Sequence, residues 1–156
     1  MEQLTLRLAV PADAALIAEL IAEHARDEGA EAGGRPEGYA RGLAERACAC
    51  VLAERGGEAL GLAMFYRTFS SWAGQPGLFL EDLYVRPAAR GLGIGRRLLA
   101  ELARIARDGG ATRIDLAVRE ANRAGAFYAR LGLHRLPGWQ LWRAEGAALA
   151  ELAGEP

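Results

Sequence analysis

The sequence is poor in the residues on which metalloproteins, disulfide-rich proteins and lysine-dependent nucleotide sites rely. Its 156 residues include two cysteines and two histidines, and all 19 basic residues are arginines. Cys48 and Cys50 are too close in sequence for an ordinary disulfide, and we expect them to be small core residues of a cytoplasmic protein. His24 and His134 show no paired ligand spacing, so no metal site is expected.

Long apolar runs are also missing. No stretch approaches the roughly 20 apolar residues that a membrane helix needs. The first residues lack a basic segment followed by an unbroken apolar one, so no secretion signal is expected. With 51% hydrophobic and 25% charged residues, the chain is predicted to be one soluble domain, residues 1–156, with no membrane partner.

The net charge of −1 is unevenly distributed. Residues 1–89 hold 13 acids and 8 arginines, a balance of −5, and residues 90–156 hold 7 acids and 11 arginines, a balance of +4. A basic second half suits an anionic ligand and an acidic first half a cationic one, with chance scatter as the alternative. No concentrated basic patch is present, so we expect no nucleic-acid partner.

Hydrophobic periodicity predicts an α/β protein with the order β-α-α-β-β-β-α-β-α-β-β. The turn Arg55–Glu58, with two central glycines, indicates a hairpin. The predicted elements are a strand over 4–8, helices over 13–29 and 39–46, strands over 48–55 and 59–69, strand Leu78–Val85, a helix from Gly95 to near Gly109, strand Thr112–Val118, helix Ala121–Leu131, strands Leu133–Leu136 and Trp139–Arg143, and helix Glu145–Leu152.

The most informative segment joins the strand ending at Val85 to the following helix. Glycines at alternate positions allow consecutive N–H groups to point into one concavity, and a helix N-terminus adds unpaired donors and a favourable dipole. Nearby arginines add positive charge, so a diphosphate is the expected ligand. The residues are Arg90, Gly91, Leu92, Gly93, Ile94, Gly95, Arg96 and Arg97.

Two other phosphate-binding motifs do not fit this segment. A dinucleotide fingerprint requires a third glycine at position 96, which is Arg96, and the turn comes too late in the chain. A nucleoside-triphosphate loop ends in Gly-Lys-Ser/Thr, and the chain has no lysine. A merely flexible turn is the remaining alternative.

At these residues the sequence resembles the GNAT superfamily of N-acetyltransferases, whose signature Gln/Arg-x-x-Gly-x-Gly/Ala matches 90–95. It is most similar to the diamine/polyamine and thialysine N-acetyltransferases. The resemblance implies a mixed, mostly antiparallel sheet of about six to seven strands with about four helices. It also implies acetyl transfer from acetyl-CoA to a small primary amine by direct attack in a ternary complex. The further matching segments are 65–66, 71–72, 80–85, Asn122, 127–128 and 138–139.

Amine acetylation needs a proton acceptor, because an alkyl amine with a pKa of about 10.4 is mostly protonated at pH 7. Glu81 is the candidate base, since strand alternation places it among Phe79, Leu83 and Val85, where desolvation would improve it as a proton acceptor. An arginine-paired structural glutamate is the alternative. The alternation directs Asp82 to the other face, where it either holds a cationic acceptor or braces the sheet.

The resemblance also assigns the other coenzyme contacts. Tyr128 matches the tyrosine that gives a proton to the thiolate, although a core tyrosine is the alternative. Asn122 matches a coenzyme-contacting asparagine, with an ordinary helix cap as the alternative. The backbone of Leu83, Tyr84 and Val85 lies where the family's fourth strand splays from the fifth and binds the pantetheine arm.

The acceptor is less well defined. Trp72 and Trp139 are predicted aromatic walls for an ammonium or alkyl chain, and His24 stands where the polyamine enzymes carry a Tyr-Glu pair. Acids spaced four residues apart on the first helix either attract a cation or form a solvated face. These acids are Glu19, Glu23, Asp27 and Glu31.

The oligomeric state and two alternative functions are also predicted. The resemblance implies a homodimer. A catalytically retired domain that binds acyl-CoA as a regulator is one alternative function, and an acetyltransferase for protein N-termini is another.

Overall fold

The computed structural model describes residues 3–120 and 122–154. The chain forms two compact units, Met1–Arg119 and Glu120–Pro156. The first unit holds the sheet and three α-helices, and the second holds two short helices. Within the described ranges, no helix is long and apolar enough to cross a membrane.

The elements of the first unit follow the predicted order. Short 3-10 turns lie at Pro11–Asp13 and Pro87–Ala89. The elements are β1 Thr5–Leu8, α1 Ala14–Asp27, α2 Pro36–Ala44, β2 Ala49–Arg55, β3 Glu58–Ser70, β4 Gln75–Val85, α3 Ile94–Asp108 and β5 Ile114–Leu116. The second unit contributes α4 Ala124–Arg130 and α5 Ala147–Leu152.

The five strands form one sheet in sequence order, β1-β2-β3-β4-β5. Neighbours from β1 to β4 are antiparallel, and β5 is parallel to β4. The β2–β3 connection uses Gly56 and Gly57 at φ 61° and 79°, a left-handed pair that suits the twist of a tight hairpin. The predicted mixed, mostly antiparallel α/β class is therefore confirmed.

The predicted count of six to seven strands is wrong for the described part of the chain, which has five. Leu133–Leu136 and Trp139–Arg143 form no strand. Both are short segments on either side of the Pro137-Gly138 turn, and in the described part of the second unit no strand is available to pair with them. The predicted helix 121–131 is observed as α4; Ala121, where it was predicted to begin, lies outside the described residues.

The sheet buries one face against α1 and α2 and the other against α3. We call these the α1 face and the α3 face. The cluster on the α1 face consists of Ile17, Leu20, Ile21, Cys50, Leu52, Ala59, Leu62, Met64 and Tyr84. The buried α3 residues are Ile94, Leu98, Leu99, Leu102 and Ala106. The expectation that Cys50 lies in the core is confirmed, since its side chain is fully buried.

Candidate active site

The turn between β4 and α3 has the backbone that its glycines predict. Gly91 and Gly93 adopt φ 78° and 75°, values that side chains other than glycine rarely adopt. Gly93 is the N-cap of α3, and the first bonded turn of the helix is closed by Arg97 N–H donating to Gly93 O at 3.1 Å. The N–H groups that precede Arg97 lie at the N-terminus of the helix and have no intrahelical acceptor.

The surroundings of this turn fit an anionic ligand. A Cβ added at Gly91 or Gly93 would meet no other atom within 4 Å, so the concave backbone opens onto free space. Leu92 and Arg96 are exposed, whereas Ile94 is buried and anchors α3 in the core. The turn therefore combines a fixed core side with an accessible row of backbone donors.

Arg90 has a different set of partners from the one expected of it. Its guanidinium donates to the carboxylate of Asp27 on α1, and its Nε donates to Val85 O at 2.9 Å. The guanidinium carbon also lies 5.8 Å from the Tyr84 ring centroid. The side chain thus ties the turn to α1, and a contact of Arg90 with a diphosphate, which stays a prediction, requires it to leave these partners.

The strands β4 and β5 separate after a short pairing. Leu78, Phe79 and Leu80 pair with Ile114, Asp115 and Leu116, and the rest of β4 continues to Val85 alongside β3 alone within the described residues. This is the separation that the resemblance implies. It leaves one edge of the last residues of β4 without a β5 partner.

The backbone groups of Leu83 and Val85 face that edge. Arg86 N–H donates to Leu60 O at 2.9 Å, and bonded and non-bonded pairs alternate along antiparallel strands. Leu83 and Val85 are therefore in non-bonded pairs and direct their N–H and C=O groups away from β3. The bond that Val85 O accepts from Arg90 is consistent with this direction. The backbone N–H and C=O groups of Tyr84 point toward β3, and its side chain is buried.

A bulge at Glu81 changes the alternation on which its role was predicted. Phe65 of β3 pairs with Leu80, but Met64 pairs with Asp82, so Glu81 is the extra residue of β4. A bulge leaves the extra residue out of the ladder and shifts the faces of all residues that follow.

As a result, Glu81 and Asp82 lie on the same face of the sheet. Asp82 pairs with Met64, a member of the α1-face cluster. Leu80 pairs with Phe65, the neighbour of Met64, and so points to the α3 face; Glu81, the next residue, points to the α1 face. Burial raises the pKa of Tyr66, and the nearby charge of Glu81 adds to this effect. The prediction that Asp82 faces away from Glu81 is wrong, because a single-strand pattern contains no information about a register shift. Glu81 is also exposed rather than surrounded by apolar side chains.

Asp82 and His24 form a contact between β4 and α1. His24 Nε2 lies 3.5 Å from Asp82 Oδ1, and the two side chains are 24% and 26% exposed. Burial raises the pKa of the Asp82 carboxyl, and the charge of His24 opposes the shift. The His24 ring also lies 5.4 Å from that of Tyr84. Two residues that the sequence assigned separately to the acceptor are thus brought together.

The acidic residues of α1 bind arginines of the same chain. Glu23 accepts hydrogen bonds from Arg86 at 2.8 and 3.0 Å and from the Tyr84 hydroxyl at 3.2 Å, and Glu19 also contacts Arg86. Asp27 holds Arg90, as described. Three of the four acids of the stripe thus bind arginines, so the stripe is not a purely solvated face. Its contact with the acceptor stays a prediction. Arg86 was missed, although acids at four-residue spacing are a signal for such a partner.

The structure does not bring Trp72 close to the carboxylates of Glu81 and Asp82. Trp72 lies in the β3–β4 turn and is 91% exposed. Gln75, where β4 begins, is six residues before Glu81, a separation of about 20 Å along an extended strand. Its predicted role as an acceptor wall stays a prediction.

The second unit holds the remaining predicted residues. Asn122 Oδ1 accepts a hydrogen bond from Ala124 N–H at 2.8 Å, which forms a local turn just before α4, whose N-cap residue is Arg123. Tyr128 is half-buried on α4, with its ring edge-on to Phe127 at 5.2 Å. Trp139 is 70% exposed, and together with Gly138, Gln140 and Trp142 it lines a cavity of about 400 Å³.

Metal-ligating side chains are dispersed in the part of the chain that the structure describes. No three His, Cys, Asp or Glu side chains converge there in a way that could hold a metal ion.

Comparison with known proteins identifies the family. A model described as "Acetyltransferase (GNAT) family" matches residues 15–133. The thialysine N-epsilon-acetyltransferase of Bos taurus is 40% identical over 100 residues, which cover 62% of this chain and 58% of the bovine protein. The Mus musculus enzyme of the same name is 35% identical over 117 residues, 67% of this chain and 68% of its own length. The chain therefore matches less than two thirds of the bovine relative.

A solved structure shows the same fold. The integron cassette protein from the mobile metagenome of V. cholerae superposes with a TM-score of 0.81 at 24% sequence identity, covering 96% of this chain and 97% of the other. At this identity the likeness concerns the fold alone.

Proposed function

Because the chain belongs to the acetyltransferase (GNAT) family, we propose that it transfers an acetyl group from acetyl-CoA to a primary amine of a small molecule. The observation that carries the proposal is the Gly91–Gly93 turn, with its two left-handed glycines opening onto free space at the start of α3. Relatives named as thialysine N-epsilon-acetyltransferases support a small amine as the acceptor.

In this proposal the coenzyme is held by backbone groups. The N–H groups of the turn and of the first residues of α3 bind the diphosphate, since a helix N-terminus favours an anion. Exposed Arg96 adds charge. The N–H groups of Leu83 and Val85 and the C=O group of Leu83 bind the pantetheine arm at the edge of β4 that faces away from β3, whereas Val85 O is held by Arg90. Asn122 stays a predicted coenzyme contact. The coenzyme supplies an acetyl group as a thioester.

The proposed chemistry is direct attack by the amine, which requires a proton acceptor and a proton donor. Glu81 accepts the amine proton, directly or through a water molecule. Glu81 is exposed, so a small amine can reach it. Tyr128 gives a proton to the departing thiolate, since a phenol with an ordinary pKa of about 10 is protonated at neutral pH.

The acceptor is proposed to bind on the α1 face, beside Glu81 and Asp82. Two carboxylates on one face give this region a negative potential that suits a cationic amine. His24 lies at the same place. The roles of Trp72 and Trp139 as aromatic walls stay predictions, and this acceptor site does not require Trp72. A diamine, a polyamine or an amino-acid side chain meets these requirements.

A mass-spectrometric screen tests the proposal. The protein is incubated with acetyl-CoA and with pools of diamines, polyamines, amino acids and peptides. Acetylation of a free small amine is the expected result. Acetylation confined to peptide N-termini would contradict the acceptor class, and coenzyme binding without any acetyl transfer would contradict the enzymatic function.

The remaining proposals concern organisation. One family model spans residues of both compact units, which supports a single functional domain over 1–156. A homodimer and a cytoplasmic location stay predictions. Light scattering during size-exclusion chromatography tests the first, because a species of 16.7 kDa alone would reject it.

A further inference from the structure

The balance of protons in amine acetylation requires more than one proton acceptor. An alkylammonium nitrogen carries three protons, and the amide nitrogen of the product carries one. The N–C bond forms, the C–S bond breaks, and the thiolate takes up one proton. Two protons therefore leave the nitrogen for each turnover. In the proposed function Glu81 accepts the first, before attack, and nothing yet accepts the second.

The structure places a second titratable pair beside Glu81. The bulge turns Asp82 to the same face as Glu81, and Asp82 lies 3.5 Å from His24 Nε2. A carboxylate beside one imidazole nitrogen favours the tautomer that carries its proton on that nitrogen, which leaves the other nitrogen available as a base. Side-chain exposures of 24% and 26% leave the pair accessible to a small molecule while restricting its hydration.

We propose that His24, positioned by Asp82, accepts the second proton that the amine nitrogen loses. The inference rests on the proposed function and adds a catalytic residue to it. After the N–C bond has formed, the cationic nitrogen gives its second proton to the imidazole. Tyr128 gives its proton to sulfur and recovers one from water. Glu81 and His24 then release theirs, so one proton is released per turnover and the balance closes.

The environment of the pair supports this role. Burial raises the pKa of the Asp82 carboxyl, and the positive charge of a protonated His24 opposes this shift, so the two groups are electrostatically coupled. The other titratable groups around the pair are Tyr39 on α2, Cys50 on β2, Tyr84 on β4 and Glu23 on α1. Glu23 is held by Arg86, and burial raises the pKa of Tyr39, Cys50 and Tyr84, so all three stay protonated at neutral pH.

The two histidines of the chain provide a matched test. We measure kcat and KM between pH 6 and 9 for the wild type, His24→Gln and His134→Gln, with an amine found in the acceptor screen. His24→Gln is expected to lower kcat by about 100-fold, the usual contribution of a positioned acid–base group, with coenzyme affinity unchanged. His134 is exposed in the second unit, and its substitution is expected to leave kcat unchanged.

Two further measurements separate chemistry from structure. Imidazole in the buffer is expected to restore part of the kcat of His24→Ala, whereas a purely structural histidine would not respond. Carbon-13 NMR is expected to show that His24→Gln raises the pKa of Asp82, because the cation that lowers it has been removed, and that His134→Gln does not. Asp82→Asn, with His24 in place, is expected to lower kcat without responding to imidazole.

The outcomes distinguish this inference from the proposed function. If the wild-type protein acetylates an amine and His24→Gln does so with the same kcat, His24 has no catalytic role, and the acetyltransferase function is unaffected. An unchanged titration of Asp82 in His24→Gln would overturn the pairing itself. A wild-type protein that acetylates no amine would contradict both.

Discussion

Arg86 and Glu23 join the end of β4 to α1 through two hydrogen bonds, at 2.8 and 3.0 Å. Arg86 also donates to Ala59 O at 3.0 Å, so its guanidinium links α1, β3 and β4. Both side chains are about one-fifth exposed, 20% for Arg86 and 21% for Glu23. This pair fixes α1, and with it His24, against the strand that carries Glu81 and Asp82.

Replacing Glu23 with Gln is expected to destabilise the fold. The change removes one of the carboxylates that hold the Arg86 guanidinium in a partly buried site and leaves Glu19 as the other close one, which costs about 1–3 kcal/mol. The free energy of unfolding from urea titration measures the effect. Glu45→Gln, at the exposed end of α2, is the control and is expected to change it by less than about 0.5 kcal/mol.

The same pair makes stability depend on pH. Arg86 holds the pKa of the Glu23 carboxyl below its ordinary value. The pair therefore adds to the free energy of unfolding at pH values above the unfolded-state pKa of about 4.3, and this stabilisation is lost as the pH falls through the lower pKa of the folded state. The stability difference between wild type and Glu23→Gln is therefore expected to shrink below about pH 4. A difference that stays constant down to pH 2.5 would contradict this.

Substituting Gly93 separates coenzyme binding from stability. Gly93→Ala and Gly110→Ala place alanine at φ 75° and 73°, at opposite ends of α3, and neither added Cβ meets another atom. Each is expected to cost about 1–2 kcal/mol of stability from backbone strain. Gly93→Ala alone is expected to weaken acetyl-CoA binding, because it changes the direction of the turn N–H groups. Equal affinities of the two variants would argue against the turn as the binding site.

The features that sequence patterns predict are the local ones. Helix periodicity and alternating glycines locate α3 and its N-terminal turn, since both depend on neighbours within a few residues. The bulge at Glu81 is a relation between β4 and its partner β3, and no single-strand pattern contains it. The pairs Arg86–Glu23 and Arg90–Asp27 join residues 63 positions apart, so the arginine partners of the acidic stripe could not be assigned. The segments predicted as final strands have alternating residues but form no strand among the residues that the structure describes.

Replacing Glu81 with Gln is expected to reduce kcat/KM most at low pH. Free amine is scarcest there, at roughly one molecule in a thousand at pH 7 for an amine with a pKa of about 10.4, so the loss of a proton acceptor has its greatest effect. Initial rates between pH 6 and 9 measure it, with Glu45→Gln as the exposed control. A loss of the same size at every pH would count against a base role for Glu81.

Removing the hydroxyl of Tyr128 is expected to lower turnover and leave coenzyme binding unchanged. Tyr128→Phe retains the ring that packs edge-on to Phe127, so a loss of packing is not expected. Loss of a proton donor typically lowers kcat by about 100-fold or more. Steady-state kinetics with calorimetry on the same variant separates the two effects. If Tyr128→Phe has the same kcat as the wild-type protein, Tyr128 is not the proton donor.

Isothermal titration calorimetry of the folded protein with acetyl-CoA and with coenzyme A tests whether the Gly91–Gly93 turn is a coenzyme site. We expect a measurable heat of binding for both ligands, with one site per chain and a weaker affinity in Gly93→Ala than in Gly110→Ala. If no coenzyme A thioester produces a heat of binding with the wild-type protein, the Gly91–Gly93 turn is not a coenzyme site and the proposed function is contradicted.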